Sequence, residues 1–429
     1  MTSALLLALT HCNSSPPTGS SNGGGNTAGA SGNQNAGAGG SAGRGGAAGG
    51  GGIGGSGGSA GSGGTAGATG GSAGVSGTAG NPSGGGGGTL SSGVGWTGRV
   101  DARDPNAAVF AWQGAGVVAK VSGSSVAVRL RTDGTETVFF QALIDGRAGT
   151  RFEVRSGAEQ TISLASGLGA GDHDVELFRE TEGAYGRSTF LGFSSGSVKG
   201  SVTRTRLIEV VGDSISAGYG NLGEERHPAP AWVANPACHW TAANSSWYLT
   251  YAAIAGHELN AEVSTIARSG WGMVRDRDND TTHVLSAVYD NAVGASSSPG
   301  WNFTRQASAV VINLGTNDWN MGDPGTAYET AYTQFIAHLR TRYPAAWLLI
   351  SIGPMLGDPA LNQAKTRLAN VVAARAGQGD TKVAAFDFGQ QNLGSDGSIP
   401  TGCDWHPSRA EHARMAGILK SQLQAKLGW

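Results

Sequence analysis

Leu207-Ile208-Glu209-Val210-Val211-Gly212-Asp213-Ser214-Ile215-Ser216 joins an apolar run of strand length to a tight, glycine-containing turn that carries a serine. A serine hydroxyl is a weak nucleophile until a base takes its proton, and it must project where a substrate can reach it. A strand end followed by such a turn provides the projection. Alone, Gly212-Asp213-Ser214 is more often a plain turn than a catalytic one. Its neighbours decide.

Downstream, further apolar runs occur at 261–266, 309–314, 347–352 and 383–386. Helical stretches lie between and after them, from Trp247 to Leu259, Ala327 to Arg342, Leu361 to Ala376 and Arg409 to Leu427. Alternating strand and helix predicts a parallel sheet covered by helices on both faces, a three-layer α/β/α domain of flavodoxin-like type over residues 201–429. Active sites in such sheets sit beyond the carboxyl ends of the strands.

Upstream, over 93–200, the grammar differs. Short β segments at 109–112, 117–121, 125–130, 138–144, 151–154, 160–164 and 171–178 are separated by Gly, Asp and Ser, and Asp145-Gly146 reads as a hairpin turn. Regular spacing with almost no helical period predicts an antiparallel β-sandwich of jelly-roll type. Before it, residues 13–92 are low-complexity Gly/Ser/Ala, where many of the 74 glycines lie, and cannot build a core. A disordered tether of roughly 50 Å end to end is expected there.

Residues 1–12 form an apolar run too short to span a bilayer, which reads as an export signal. Leu6 to Cys12 resembles a bacterial lipoprotein cleavage site, although His11 stands where a small residue is usual and no basic segment precedes the run. A secreted protein and a membrane tether through lipidated Cys12 both remain open. The net charge of −2 and the lack of any Lys/Arg run exclude a nucleic-acid partner on electrostatic grounds. Three cysteines without zinc-type spacing give no sign of a metal. In an exported chain Cys238 and Cys403 make an even pair, and a disulfide between them would staple a long loop to the segment before His406.

Two other motifs stand at the same end of the parallel-sheet pattern. Gly315-Thr316-Asn317-Asp318 follows the strand ending at Leu314, and the Asn317 side chain can aim an N–H at the oxyanion that develops during ester attack. Asp404-Trp405-His406-Pro407 places an imidazole just ahead of the last helix, where Ser408 to Glu411 fits a capping box. Each motif has a bland reading as turn, helix cap or dipole neighbour. Their joint occurrence at strand ends points to Ser214 as nucleophile and His406 as general base.

This set resembles the SGNH, or GDSL, hydrolases. The resemblance implies a third oxyanion donor beside the Ser214 N–H and Asn317, a glycine after the second strand: Gly270, with Gly272 in reserve. The extension from Gly212 to Asn221, the helix from Tyr248 to Ala255 and the β-sandwich placed ahead look more narrowly like carbohydrate esterase family 2, over nearly all of Val94 to Trp429. That implies a monomeric, cofactor-free enzyme removing acetyl groups from xylan, mannan-type polymers and other sugars.

In most SGNH enzymes an aspartate three residues before the histidine orients the imidazole. That position here is Cys403, with Asp404 two residues before His406, so the resemblance leaves open a Ser214–His406 dyad or a triad completed by Asp404. Trp271, Trp319 and Trp405 flank the motifs as candidate faces for a sugar ring or as core, with Trp319 the first choice, and Tyr219 joins them from the nucleophile block. Two rival functions are a general SGNH lipase or esterase acting on other acyl esters, and a polysaccharide-binding surface protein with a silent hydrolase domain.

Overall fold

The computed structural model describes residues 93–226, 238–294, 298–394 and 397–429. The expected export segment with Cys12 and the expected tether over 13–92 lie outside these.

Nine antiparallel strands occupy the first part: β1 (Gly95–Thr97), β2 (Ala108–Phe110), β3 (Gly116–Thr132), β4 (Val138–Ile144), β5 (Arg147–Ala148), β6 (Phe152–Val154), β7 (Gln160–Ser166), β8 (Asp172–Arg179) and β9 (Ser188–Gly200). β3 is the spine. Its first half pairs with β8, its second with β7, and β9 pairs along much of its length. Val126, Val128 and Leu130 alternate into the core, the period that covering one sheet face demands. Asp145 and Gly146 both take positive φ, as a two-residue hairpin requires.

One expectation changes here, and one strand appears that the apolar pattern did not indicate. The runs at 117–121 and 125–130 belong to one strand, and β9 carries no clear apolar pattern although it is the main partner of β3. Its glycines and serines, with register shifts against β3, hide the period-two signal.

The second part is a parallel sheet of β10 (Arg206–Gly212), β11 (Ala261–Ala267), β12 (Ala309–Asn313), β13 (Trp347–Ser351) and β14 (Val383–Ala385), in the order β11-β10-β12-β13-β14. Helices α2 (Tyr251–Glu258) and α5 (Arg409–Leu427) cover Val210, Val263, Val311 and Leu349 on one face. Helices α3 (Thr326–Arg342) and α4 (Ala360–Gly377) cover Val211, Ile312, Leu348 and Ile350 on the other. Such side chains each contribute about 1.5–3 kcal/mol on full burial, which fixes the alternation. The helix before β11 starts at Tyr251 and not at Trp247, because the Thr250 side chain caps it by accepting the Ala253 N–H.

Strand order reverses at β10 and β12, so the connections that leave their carboxyl ends run to opposite faces of the sheet and leave a crevice there. The antiparallel part is anchored beside it. Arg99 forms a buried ion pair with Glu209 of β10 at 3.1 Å, and the hydroxyls of Tyr289 and Tyr343 donate to the same carboxylate. Arg151 donates to the carbonyls of Ala242 and Ser245, both at 2.7 Å.

Candidate active site

β10 ends at Gly212, where a Cβ would lie 2.0 Å from Ser216 Oγ, so only glycine lets the chain turn this tightly. Asp213 caps the turn by accepting the Ile215 N–H at 3.0 Å. Ser214 opens the single helical turn α1 (Ser214–Ala217), which Gly218 ends in the left-handed conformation. The Ser214 side chain is buried except toward a cavity of about 210 Å³ that it helps to line.

Ser214 Oγ lies 2.8 Å from His406 Nε2. On the other side of the ring, Nδ1 meets the main-chain oxygens of Asp404 at 2.9 Å and Cys403 at 3.3 Å. Carbonyls only accept, so Nδ1 carries the proton and Nε2 presents its lone pair to the serine hydroxyl. Burial pushes the imidazole down to about 4, with the Arg277 guanidinium acting in the same direction and Asp404 and the two carbonyls opposing. The ring is therefore neutral at pH 7.

Of the two alternatives, dyad and triad, the Asp404 side chain does not complete the triad. The Asp404 carboxylate accepts from Tyr219 Oη at 2.8 Å and from the Trp240 N–H at 2.9 Å, and it pairs with His239 Nδ1 at 2.8 Å. The physical reason is backbone conformation. Asp404 and Trp405 both have positive φ, 53° and 67°, which turns the carbonyl of Asp404 toward the imidazole and its side chain away. Cys403 and Cys238 are bonded to each other, with Cα atoms 4.8 Å apart, and the Asp404 N–H donates to the Cys238 carbonyl at 3.0 Å.

Gly270, three residues past β11, has φ +80° and lines the cavity beside Ser214 and Asn317. No acceptor among the described residues meets the N–H of either Ser214 or Gly270. Asn317 Nδ2 donates one hydrogen to the Trp271 carbonyl at 2.8 Å, which fixes the amide orientation and leaves its second N–H for the cavity. Gly272 faces elsewhere: a Cβ there would meet Asp318 Oδ2 at 2.3 Å. Buried Asp318 accepts the N–H groups of Met273 and Val274 and so clasps this loop, while burial raises its carboxyl to about 6.

Among the four aromatic candidates, only Tyr219 lines the cavity, stacked on His406 with ring centres 4.1 Å apart. Trp319, the first choice, is core: it is 3% exposed and packs edge-on against Tyr328. Trp405 is buried as well, and Trp271 is half-buried, stacking on His283 beneath the Arg268 guanidinium. Proximity in sequence to a motif did not translate into facing the cavity, because successive loop residues point in different directions.

The sequence reading missed Tyr185 and Arg277, which line the cavity, and Trp240, which stacks on Tyr185 at 4.1 Å. Tyr185 arrives from the β8–β9 connection, far away in the chain. Trp240 had a readable signal, since pairing of Cys238 with Cys403 brings its neighbours beside Asp404. Among the described residues, Asp276, Asp280 and His283 form a cluster of metal-ligand type. Asp276 already accepts the Asp278 and Asp280 N–H groups and pairs with His283, which makes the cluster a loop cap.

Residues 96–200 match the carbohydrate esterase 2 N-terminal family model, and residues 210–414 match the GDSL-like lipase/acylhydrolase family. The chain is 35% identical over 342 residues to the cellulase/esterase CelE of Acetivibrio thermocellus, covering 79% of this chain and 40% of that longer protein. It is 24% identical to an acetylxylan esterase/glucomannan deacetylase of Cellvibrio japonicus, covering 77% of this chain and 88% of the relative. A solved family two carbohydrate esterase from Clostridium thermocellum in complex with cellohexaose superimposes with a TM-score of 0.71 at 34% identity, covering 79% of this chain and all of that one. With a serine–histidine pair at the reversal of a parallel sheet and an antiparallel sheet packed beside it, the chain belongs to carbohydrate esterase family 2.

Proposed function

We propose that this protein is a serine esterase that removes O-acetyl groups from cell-wall carbohydrate of the acetylxylan or glucomannan type. The observation that carries the reading is the Ser214 Oγ to His406 Nε2 contact, with Nδ1 held by carbonyl oxygens, beside a cavity lined by Ser214, Gly270 and Asn317. Ser214 attacks the acetyl carbonyl while His406 takes its proton. The Ser214 and Gly270 N–H groups and the Asn317 side chain hold the oxyanion, each donor contributing about 3–4 kcal/mol to the transition state. His406 then gives that proton to the sugar oxygen as its bond to the acetyl carbon breaks, so the sugar leaves as the free alcohol, and water repeats the sequence on the acetyl-enzyme to release acetate and Ser214.

In this mechanism the working pair is a dyad. The carbonyl of Asp404 fixes the tautomer, and its carboxylate holds Tyr219 against the imidazole. Tyr219, Tyr185 and Trp240 supply the ring faces for the sugar. Residues 93–200 form a β-sandwich domain of jelly-roll type and residues 201–429 the catalytic domain, working as a monomer. The bonded Cys238–Cys403 pair supports export to an oxidising compartment, with secretion or tethering through Cys12 as the two routes.

Acetate release from acetylated xylan and acetylated glucomannan tests the reading. The parent protein should release acetate, and Ser214→Ala and His406→Ala should each lose at least about a thousandfold in kcat. Undiminished release by either variant removes the assignment.

A further inference from the structure

The connection from β8 to β9 delivers Tyr185 to the cavity, and three residues earlier it carries Glu182, 5% exposed. The Glu182 carboxylate accepts the main-chain N–H of Ser269, the residue directly before Gly270. Its backbone is set by fully buried Arg179, whose guanidinium donates to the carbonyls of Thr181 at 2.7 Å and Glu182 at 3.1 Å and to Ser188 Oγ at 2.5 Å. A second side chain from the same antiparallel part, Gln113, donates to the Ala267 carbonyl at 3.2 Å.

These contacts account for the loop almost atom by atom. The Ala267 carbonyl is held by Gln113, the Arg268 N–H by the Gly212 carbonyl at 3.2 Å, and the Ser269 N–H by Glu182. The Gly270 carbonyl accepts the Arg277 N–H at 2.9 Å. Peptide groups are planar, so fixing the plane before Ser269 and the plane after Gly270 leaves the intervening plane, which bears the Gly270 N–H, little freedom of its own. A buried carboxyl is a costly way to supply one acceptor. Burial pushes Glu182 up, opposed by the Ser269 N–H and by Arg268 and Arg179, and one of its oxygens accepts in either protonation state.

We propose that Glu182 is a positioning residue for ester hydrolysis: by holding the Ser269 N–H from the antiparallel part of the chain, it aims the Gly270 N–H into the oxyanion site. The packed N-terminal sheet is then part of the catalytic apparatus and not only a neighbour of it. This inference rests on the esterase reading above.

The test is steady-state hydrolysis of p-nitrophenyl acetate by the full chain, comparing the parent, Ser214→Ala, Glu182→Gln and Glu182→Ala. Ser214→Ala examines the esterase reading separately, and its loss of activity is the reference. Glu182→Ala should lower kcat about ten- to hundredfold, less than outright removal of a donor, with KM within about twofold. Glu182→Gln keeps an acceptor of the same length and should stay within about threefold of the parent in kcat. If Glu182→Ala does not fold, Glu182→Met, which fills the space without an oxygen, takes its place. The proposal is overturned if the variant without an acceptor keeps the parent kcat while Ser214→Ala is inactive, or if Glu182→Gln loses as much as Glu182→Ala.

Discussion

His406 Nδ1 lies 2.9 Å from the main-chain oxygen of Asp404, while the carboxylate of that residue faces Tyr219, His239 and Trp240. The group that fixes the imidazole tautomer is therefore backbone, and side-chain substitution cannot delete it. Asp404→Asn, which tolerates positive φ, should lower kcat/KM by less than about tenfold, against at least about a thousandfold for His406→Ala. Equal losses in the two variants would mean that the carboxylate is essential to the histidine.

The buried imidazole also sets the pH dependence. His406 must be neutral to accept the Ser214 proton, so kcat/KM falls as pH drops through its pKa in the free enzyme. Burial places that value near 4, well below the 6.5 of an ordinary histidine, so activity should persist into mild acid. Removing the neighbouring guanidinium favours the imidazolium, so Arg277→Gln should move the acid limb of the kcat/KM profile to higher pH. A limb near 6.5 in the parent would contradict the burial argument.

The Cys238–Cys403 bond closes a long loop, with a sequence separation of 165, and ties down the residue next to Asp404. Losing such a cross-link costs about 2–5 kcal/mol, much of it through the unfolded chain. Cys238→Ser should show that loss in denaturant unfolding monitored by tryptophan fluorescence. Parent stability retained in the variant would show that the bond constrains little.

Trp319 and Tyr185 should separate cleanly. Trp319→Phe trims a core side chain beside Tyr328, so stability should fall by about 1–3 kcal/mol with KM within about twofold. Tyr185→Ala removes a ring that lines the cavity and should raise KM for acetylated oligosaccharide more than for p-nitrophenyl acetate. Melting curves and paired kinetics check both, and a rise in KM in Trp319→Phe alone would reverse the two assignments.

The strand-end motifs were legible because chemistry and topology constrain them together. Ser214, Asn317 and His406 stand at carboxyl ends of a parallel sheet, and that sheet shows itself as buried apolar runs. Gly270 was reached only through the resemblance to the SGNH hydrolases, which left Gly272 as its alternative. What stayed hidden depends on direction and long-range approach: the left-handed turn at Asp404 and Trp405 that swaps carboxylate for carbonyl, the inward rotation of Trp319, and the arrival of Tyr185 and Glu182 from the antiparallel part. β9 escaped because its glycines break the alternation that marks a strand.

The Ser214–His406 dyad meets its most direct test in acid-quenched reactions with p-nitrophenyl acetate, mapped by peptide mass spectrometry. Acetyl label should appear on the peptide containing Ser214 in the parent, and be absent from it in both Ser214→Ala and His406→Ala. Label carried by a different residue, or ester turnover undiminished without Ser214, would contradict the dyad.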